Sequence, residues 1–271
     1  MELTIYVVDA FTDQQFQGNS AAVIPLTEWL NDDAMQNIAT ENNLSETAFI
    51  VEISKGRYEI RWFSPITEID FCGHATLASA FVLFNELGVI GDIEFVTLQV
   101  GSLTVRQGKN RRIEMSFPNQ KPHIIEEVPQ ALSEGLSIQP LSVLQNRQAY
   151  VVVLGSVQEV LDVTYQSDLL KQLSPFDVVV TASHSIKNDN VADHYDFVSR
   201  YFWPANGGDE DPVTGSIHAG LAPYWANELN KQQLTAYQAS KRGGTLYCDV
   251  NEERVLISGF GILYLKGTIY I

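Results

Sequence analysis

The chain has 271 residues, 45% hydrophobic and 18% charged, so it is long enough to bury one large core or two medium ones. A formal net charge of −16, from 17 Lys and Arg against 33 Asp and Glu, excludes nucleic acid as the expected partner, since that binding rests on cations neutralising phosphates. The start, MELTIYVVDAF, lacks a basic region leading into a long apolar run, and no stretch reaches the roughly 18 apolar residues of a membrane span. A cytoplasmic protein with no membrane partner is therefore expected. Cys72 and Cys248 lie far apart and read as thiols, and the Cys and His spacings match no zinc pattern, so no metal is expected.

In chain order, alternation or β-branching predicts strands over Leu3–Ala10, Arg57–Phe63, Ile93–Val100, Arg112–Phe117, Tyr150–Leu154, Asp177–Thr181, Tyr195–Trp203, Thr245–Val250 and Arg254–Phe260. Helices are predicted over Asp33–Glu41, behind the cap-like Asn31 and Asp32, over Thr76–Leu87 and over Ser216–Glu228, with short ones at Gln158–Leu161 and Asp168–Leu173. The polar, proline-punctuated PNQKPHIIEEVPQ, Pro118 to Gln130, is the best boundary. It divides the chain into an N-terminal lobe (1–118) and a C-terminal lobe (119–260), with 261–271 expected to return as a strand to the first lobe.

That boundary separates two versions of one pattern. RWFSP (Arg61–Pro65) matches RYFWP (Arg200–Pro204), and each is followed by an acidic loop. Then comes Gly plus a polar residue, Gly73 and His74 or Gly215 and Ser216, and then a segment rich in Ala and Leu. RIEMSF (Arg112–Phe117) later aligns with RVLISG (Arg254–Gly259). Several matches in one order indicate an internal duplication.

ATLASAFVLF, Ala75 to Phe84, carries no charge, and a helix apolar all round is surrounded by protein. Its first-turn N–H groups nevertheless lack intrahelical partners and form a positive end of about half a charge, suited to an anion. If duplicated halves face each other, two such helix starts point into one cleft.

The chemistry-bearing residues cluster near these starts. GDEDPVTGSIHAG, Gly208 to Gly220, reads either as a solvated loop with Asp211 or Thr214 as a helix cap, or as part of a site. A serine hydrolase with Ser216, His74 and Asp211 has the right residue types but lacks the G-x-S-x-G elbow. Glu46, between a helix and an apolar strand, reads either as a solvent-facing loop residue or, against apolar Leu44, Ala48, Phe49 and Ile50, as a carboxylate of raised pKa that suits a general base. Cys72, in IDFCGH, is either a small buried hydrophobe or, at a helix start, a thiolate of lowered pKa.

The stretches DAFTDQQFQGNSAAVI (Asp9–Ile24), NLSETAF (Asn43–Phe49), RWFSPITEIDFCGHAT (Arg61–Thr76) and GDEDPVTGSIHAG resemble the PhzF-like isomerase family of phenazine biosynthesis, nearly end to end. The resemblance implies an α+β, diaminopimelate epimerase-like fold: two pseudo-twofold-related lobes, each a β-barrel-like sheet around a central apolar helix. It also implies an active site between the lobes and no cofactor. The proton-shuttling glutamate of that family maps to Glu46, and site-lining residues map to His74, Asp211 and Ser216. Asn19, Ser20 and Thr76 look substrate-facing by the same analogy, and members are frequently homodimers. Diaminopimelate epimerases use two cysteines; here the first is Cys72 but the second position is Thr214, a hydroxyl far too weak an acid to replace a thiolate.

The resulting expectation is an isomerase in which Glu46 takes a proton from carbon of a small carboxylic acid and returns it elsewhere. Asp211 and His74 position the substrate or carry the proton, and N–H groups at Gly73, His74, Gly215 and Ser216 hold its anionic group. The alternatives are a racemase or epimerase pairing Glu46 with Cys72, and a relative that binds small acids without catalysis.

Overall fold

The computed structural model describes residues 1–183 and 195–271, a mixed α+β chain in which strands dominate. It divides into two units, Met1–Ser116 with Ser258–Ile271, and Phe117–Ile257. In the first, β1 (Glu2–Ala10) pairs antiparallel with β2 (Asn19–Leu26), which after α1 (Asp32–Asn42) pairs parallel with β3 (Glu46–Ser54). β3 pairs antiparallel with β4 (Arg57–Phe63). β4 receives β5 (Glu68–Ile69), antiparallel at its C-terminal end, and, after α2 (Gly73–Phe81), β6 (Ile93–Val96), parallel at its N-terminal end. β7 (Ser102–Gln107) and β8 (Ile113–Pro118) continue antiparallel. The chain's last strand, Gly261–Tyr270, lies antiparallel along all of β1, with a bulge between Val7 and Val8.

Both faces of the β2–β3 pair are covered, which explains their sequences. Ala22, Ile24, Leu26 and Phe49 pack with Met35, Ile38 and Ala39 of α1. The alternate residues Ala21, Val23, Ala48 and Ile50, all buried, point to the opposite face, where α2 packs. α2 also packs on β1 and the last strand, and Gly73 through Ala80 are all buried.

The second unit contains β9 (His123–Ile124), α3 (Gln130–Gly135), β10 (Ser142–Gln145), β11 (Ala149–Val153), α4 (Val157–Asp162), α5 (Ser167–Leu170), β12 (Asp177–Ser183), β13 (Phe197–Phe202), β14 (Glu210–Asp211), α6 (His218–Leu229), β15 (Gln233–Gln238), β16 (Gly244–Val250) and β17 (Arg254–Gly259). Its ladders repeat the first unit's order. β10 and β11 are antiparallel, β11 and β12 parallel, and β12 and β13 antiparallel. β13 then receives β14 antiparallel at its C-terminal end and β15 parallel at its N-terminal end, and β16 follows antiparallel. α4 and α5 pack in one core with β11, β12 and β13 through Val157, Val160, Leu170, Val152, Val180 and Phe202.

The matched pentapeptides do the same work in each unit. Arg61 forks onto Glu68 of β5 at 2.7 Å through both Nε and Nη2, and its guanidinium lies 5.2 Å from the Phe63 ring. Arg200 forks onto Glu210 of β14 at 2.7 and 3.0 Å and lies 5.0 Å from Phe202. The arginine of β4 or β13 thereby pins the short acidic strand that leads to the buried helix.

Several elements differ from the sequence reading. α2 starts at Gly73, not Thr76, and from Val82 to Glu86 winds as a π-helical turn. α6 starts at His218, so Gly215 and Ser216 belong to the turn before it, and its cap is Ile217, neither Asp211 nor Thr214. β2, β3, β7, β10 and β15, and the two-residue β5, β9 and β14, are absent from the expected strands. β2 and β3 are buried on both faces and therefore lack the alternation that marks a half-buried strand.

Candidate active site

Two short connections aim the site of the first unit. Gly18, at φ 69°, turns the chain into β2; a Cβ there would stand 2.2 Å from the Ala10 carbonyl oxygen, so only glycine fits. The register then sets Asn19 beside Ala10 and Ser20 beside Asp9, whose Oδ1 accepts the Ser20 hydroxyl. α1 ends on Asn43 in the left-handed conformation, its N–H donating to the Ala39 carbonyl at 3.2 Å. Three residues later the chain enters β3 with Glu46 beside Ala21 of β2.

α2 begins between Cys72 and Gly73, and its first turn brings His74 to Glu46. His74 Nε2 lies 2.8 Å from Glu46 Oε2, with side-chain exposures of 7% and 16%. That oxygen is itself buried and accepts no aligned hydrogen bond, so the contact is an ion pair that leaves acceptor capacity unused. On the ring's other side Nδ1 lies 3.2 Å from Asn19 Nδ2 and 3.3 Å from Cys72 Sγ. Ser45 Oγ donates to Asn19 Oδ1 at 3.3 Å.

Burial pushes the Cys72 thiol up to about 11, Glu46 adds to the rise, and His74 and the Ala75 N–H pull against it. The thiolate of lowered pKa that a helix start suggested is therefore corrected: Cys72 is a protonated, buried thiol at neutral pH, and desolvation outweighs the helix end. Burial alone pulls the His74 imidazole down, but the Cys72 sulfur and the Glu46 carboxylate more than offset that, and the net direction is up.

The other expected contacts divide. Gly73 and His74 supply first-turn N–H groups at the α2 start. Thr76 is 1% exposed and donates its hydroxyl to the Cys72 carbonyl at 2.6 Å, so it secures the helix start.

In the second unit Asp211 pairs with Tyr201 on the β13–β14 ladder, and its Oδ2 accepts the Thr214 hydroxyl. Gln238 ties that corner together: its Oε1 accepts from Thr214 N at 2.9 Å and its Nε2 donates to the Asp211 carbonyl at 2.8 Å. Ser216 Oγ accepts from Gln148 Nε2 at 3.0 Å. Gln148 also donates to Tyr201 Oη at 3.0 Å, and Tyr201 donates to Asp177 Oδ2 at 2.6 Å. Burial pushes Asp177 up, and its hydrogen bonds from Tyr201 and Asn206 pull it back. His218 is fully buried; burial pulls its ring down to about 4, so it is neutral, with Nδ1 bound to the Thr214 carbonyl at 2.9 Å.

Sequence reasoning did not single out Asp9, Ser45, Gln148, Tyr201 or Gln238. Asp9 and Ser45 lie inside quoted motifs, DAFTDQQF and NLSETAF, which was the available signal. Gln148 carries none, because its partners come from β13 and the turn before α6.

The fold is thus mixed α+β with two copies of one strand order, and its first unit carries a buried Glu–His–Cys group. The chain belongs to the phenazine biosynthesis-like (PhzC-PhzF) family, whose model matches residues 8–267. It is 45% identical, over the full length of both chains, to an uncharacterized isomerase of Pseudomonas aeruginosa. A crystal structure of a PhzF-family phenazine biosynthesis protein from Enterococcus faecalis is 43% identical, with a TM-score of 0.92 over 100% of both chains. A hydroxyproline epimerase from Agrobacterium vitis, 11% identical with a TM-score of 0.59 over 99% of this chain and 92% of its own, shares the fold alone. No helix among the described residues is long and apolar enough to cross a membrane.

Proposed function

We propose that this protein is a cofactor-independent isomerase that moves a proton between carbons of a small carboxylic acid, with Glu46 as general acid and base. The carrying observation is Glu46 Oε2: a buried carboxylate oxygen, 2.8 Å from His74 Nε2 and without an aligned hydrogen bond, has the free lone pair that proton abstraction needs. His74 Nε2 faces that carboxylate before the transfer. After it, His74 supports return of the proton to a different carbon.

The substrate's anionic group is assigned to the N–H groups of Gly73 and His74 at the start of α2, where the helix dipole favours negative charge. Asn19 and Ser20 are the polar contacts on β2. In the second unit, Ser216 and the Gly215 N–H are proposed substrate contacts and Asp211 a proton carrier. The reading pairing Glu46 with a Cys72 thiolate is disfavoured by a thiol pushed up to about 11.

Incubation of the protein with a panel of small unsaturated and hydroxylated carboxylic acids in heavy water, followed by NMR, tests this. Deuterium entering at carbon in at least one acid is expected. Tight binding across the panel without exchange identifies a binding protein and refutes the isomerase.

A further inference from the structure

We propose that Glu46, Cys72 and His74 form a binding site for a soft divalent transition ion of the zinc class, whose occupancy reversibly silences proton transfer. One carboxylate oxygen, one sulfur and one ring nitrogen, from three side chains, lie within 4.8 Å of one another. Tetrahedral zinc, with bonds of about 2.0 to 2.3 Å, holds such donors about 3.4 to 3.6 Å apart. Here Oε2 to Nε2 is 2.8 Å and Sγ to Nε2 is 3.9 Å, so each of these two pairs lies within about 1 Å of zinc geometry, and the sulfur and the carboxylate are within 4.8 Å. Glu46 Oε2 is buried with an unused lone pair, as a ligand requires.

The donor chemistry chooses the ion. A thiolate, an imidazole and a carboxylate suit Zn²⁺ or Co²⁺, whereas Mg²⁺ and Ca²⁺ require oxygen cages. Cys72 is 7% and His74 6% exposed, both set by the first turn of α2, so little ordering accompanies binding. Binding replaces the S–H bond by a metal–sulfur bond and releases that proton to solvent. With Nε2 bound to the ion, the neutral ring carries its proton on Nδ1, where Asn19, with its amide turned, presents its oxygen. Three protein donors leave a fourth position for water or an anion. A scan of short spacings misses this site because Glu46 joins Cys72 and His74 only through the fold.

Binding itself is independent of the proposed reaction; the silencing rests on Glu46 being the base. The test is titration of metal-free protein with Co²⁺, followed by absorption. One-to-one binding with a near-ultraviolet thiolate-to-cobalt band is expected, and zinc should bleach it. Cys72→Ser should remove the band, while Cys248→Ser, altering the other buried thiol, should leave it. No band in the wild type, or a band that survives Cys72→Ser, overturns the site. Should Cys72→Ser fail to fold, Glu46→Gln is the second variant: cobalt affinity should fall at least about tenfold, and unchanged affinity overturns the proposal. Zinc that binds yet leaves deuterium exchange untouched overturns the silencing and Glu46 as base together. Exchange in a protein that binds no cobalt overturns the metal site alone.

Discussion

Glu46 owes its setting to a left-handed Asn43 three residues earlier and to a histidine delivered by a different helix. Glu46→Gln keeps the shape and removes the basicity. Exchange of deuterium into substrate should fall about 10³- to 10⁴-fold, the upper part of what a general base contributes, with the dissociation constant little changed. A near wild-type exchange rate would transfer the role of base to Asp211. Cys72→Ala should keep most activity, since a thiol held up at about 11 is not the base; a loss of about a thousandfold in a folded variant would establish the epimerase pairing. At this scale the sequence drew attention to Glu46 and His74 through the motifs that hold them, and the fold brings the two side chains to 2.8 Å. The sequence was silent on Gln148, whose meaning lies entirely in the Ser216 and Tyr201 oxygens that it touches.

Among elements, strands exposed on one face could be read and strands covered on both could not, because alternation exists only where one face meets water. The short NSAAVIPL of β2 is sandwiched by α1 and α2, and its apolar run has no period to detect. α2 was recognised by its lack of charge, but its start was placed late, since glycine and histidine are weak helix formers that tertiary packing overrides here. Two stability predictions belong to elements. Gly18→Ala should cost about 2 kcal/mol or more, from left-handed strain and a clash with the Ala10 carbonyl, read as a lower urea midpoint. Arg200→Met should cost about 2 to 3 kcal/mol and more than Arg61→Met. Besides Glu210, Arg200 holds the carbonyls of Val160, Leu161 and Val163 at the end of α4, whereas the second partner of Arg61 is Asp32, 76% exposed. Equal losses in the two urea titrations would refute that ranking.

For the whole molecule, the acid limb of stability has an identifiable source in His218. Its ring is neutral in the folded state down to about 4, while in the unfolded chain it takes a proton near 6.5. Between these values the unfolded state binds more protons, so stability is complete above about 6.5 and is lost as pH falls toward 4, by on the order of 3 kcal/mol. His218→Gln should flatten that part of the stability–pH curve measured by urea unfolding; an unchanged slope would place the acid sensitivity elsewhere. Composition and charge predicted a folded, acidic chain, and the duplication was legible because matched arginines and helix starts recur in order. The pairing directions were not, since they arise from contacts between residues far apart in sequence.

The strand Gly261–Tyr270 lies along β1, so the first unit is assembled from both ends of the described chain, whereas Phe117–Ile257 is continuous. During synthesis β1 leaves the ribosome early and must wait, with one edge of its ladder unpaired, until residues 261–270 follow. The middle unit has all of its strands by then and can fold while translation continues. Nascent chains stalled just beyond Ile257 should therefore resist brief proteolysis across β10–β16 while β1–β4 are still cut, and equal protection of both would show that the early strands find a temporary partner. Folding order thus runs against chain order, and the unit that carries Glu46 and His74 is completed last.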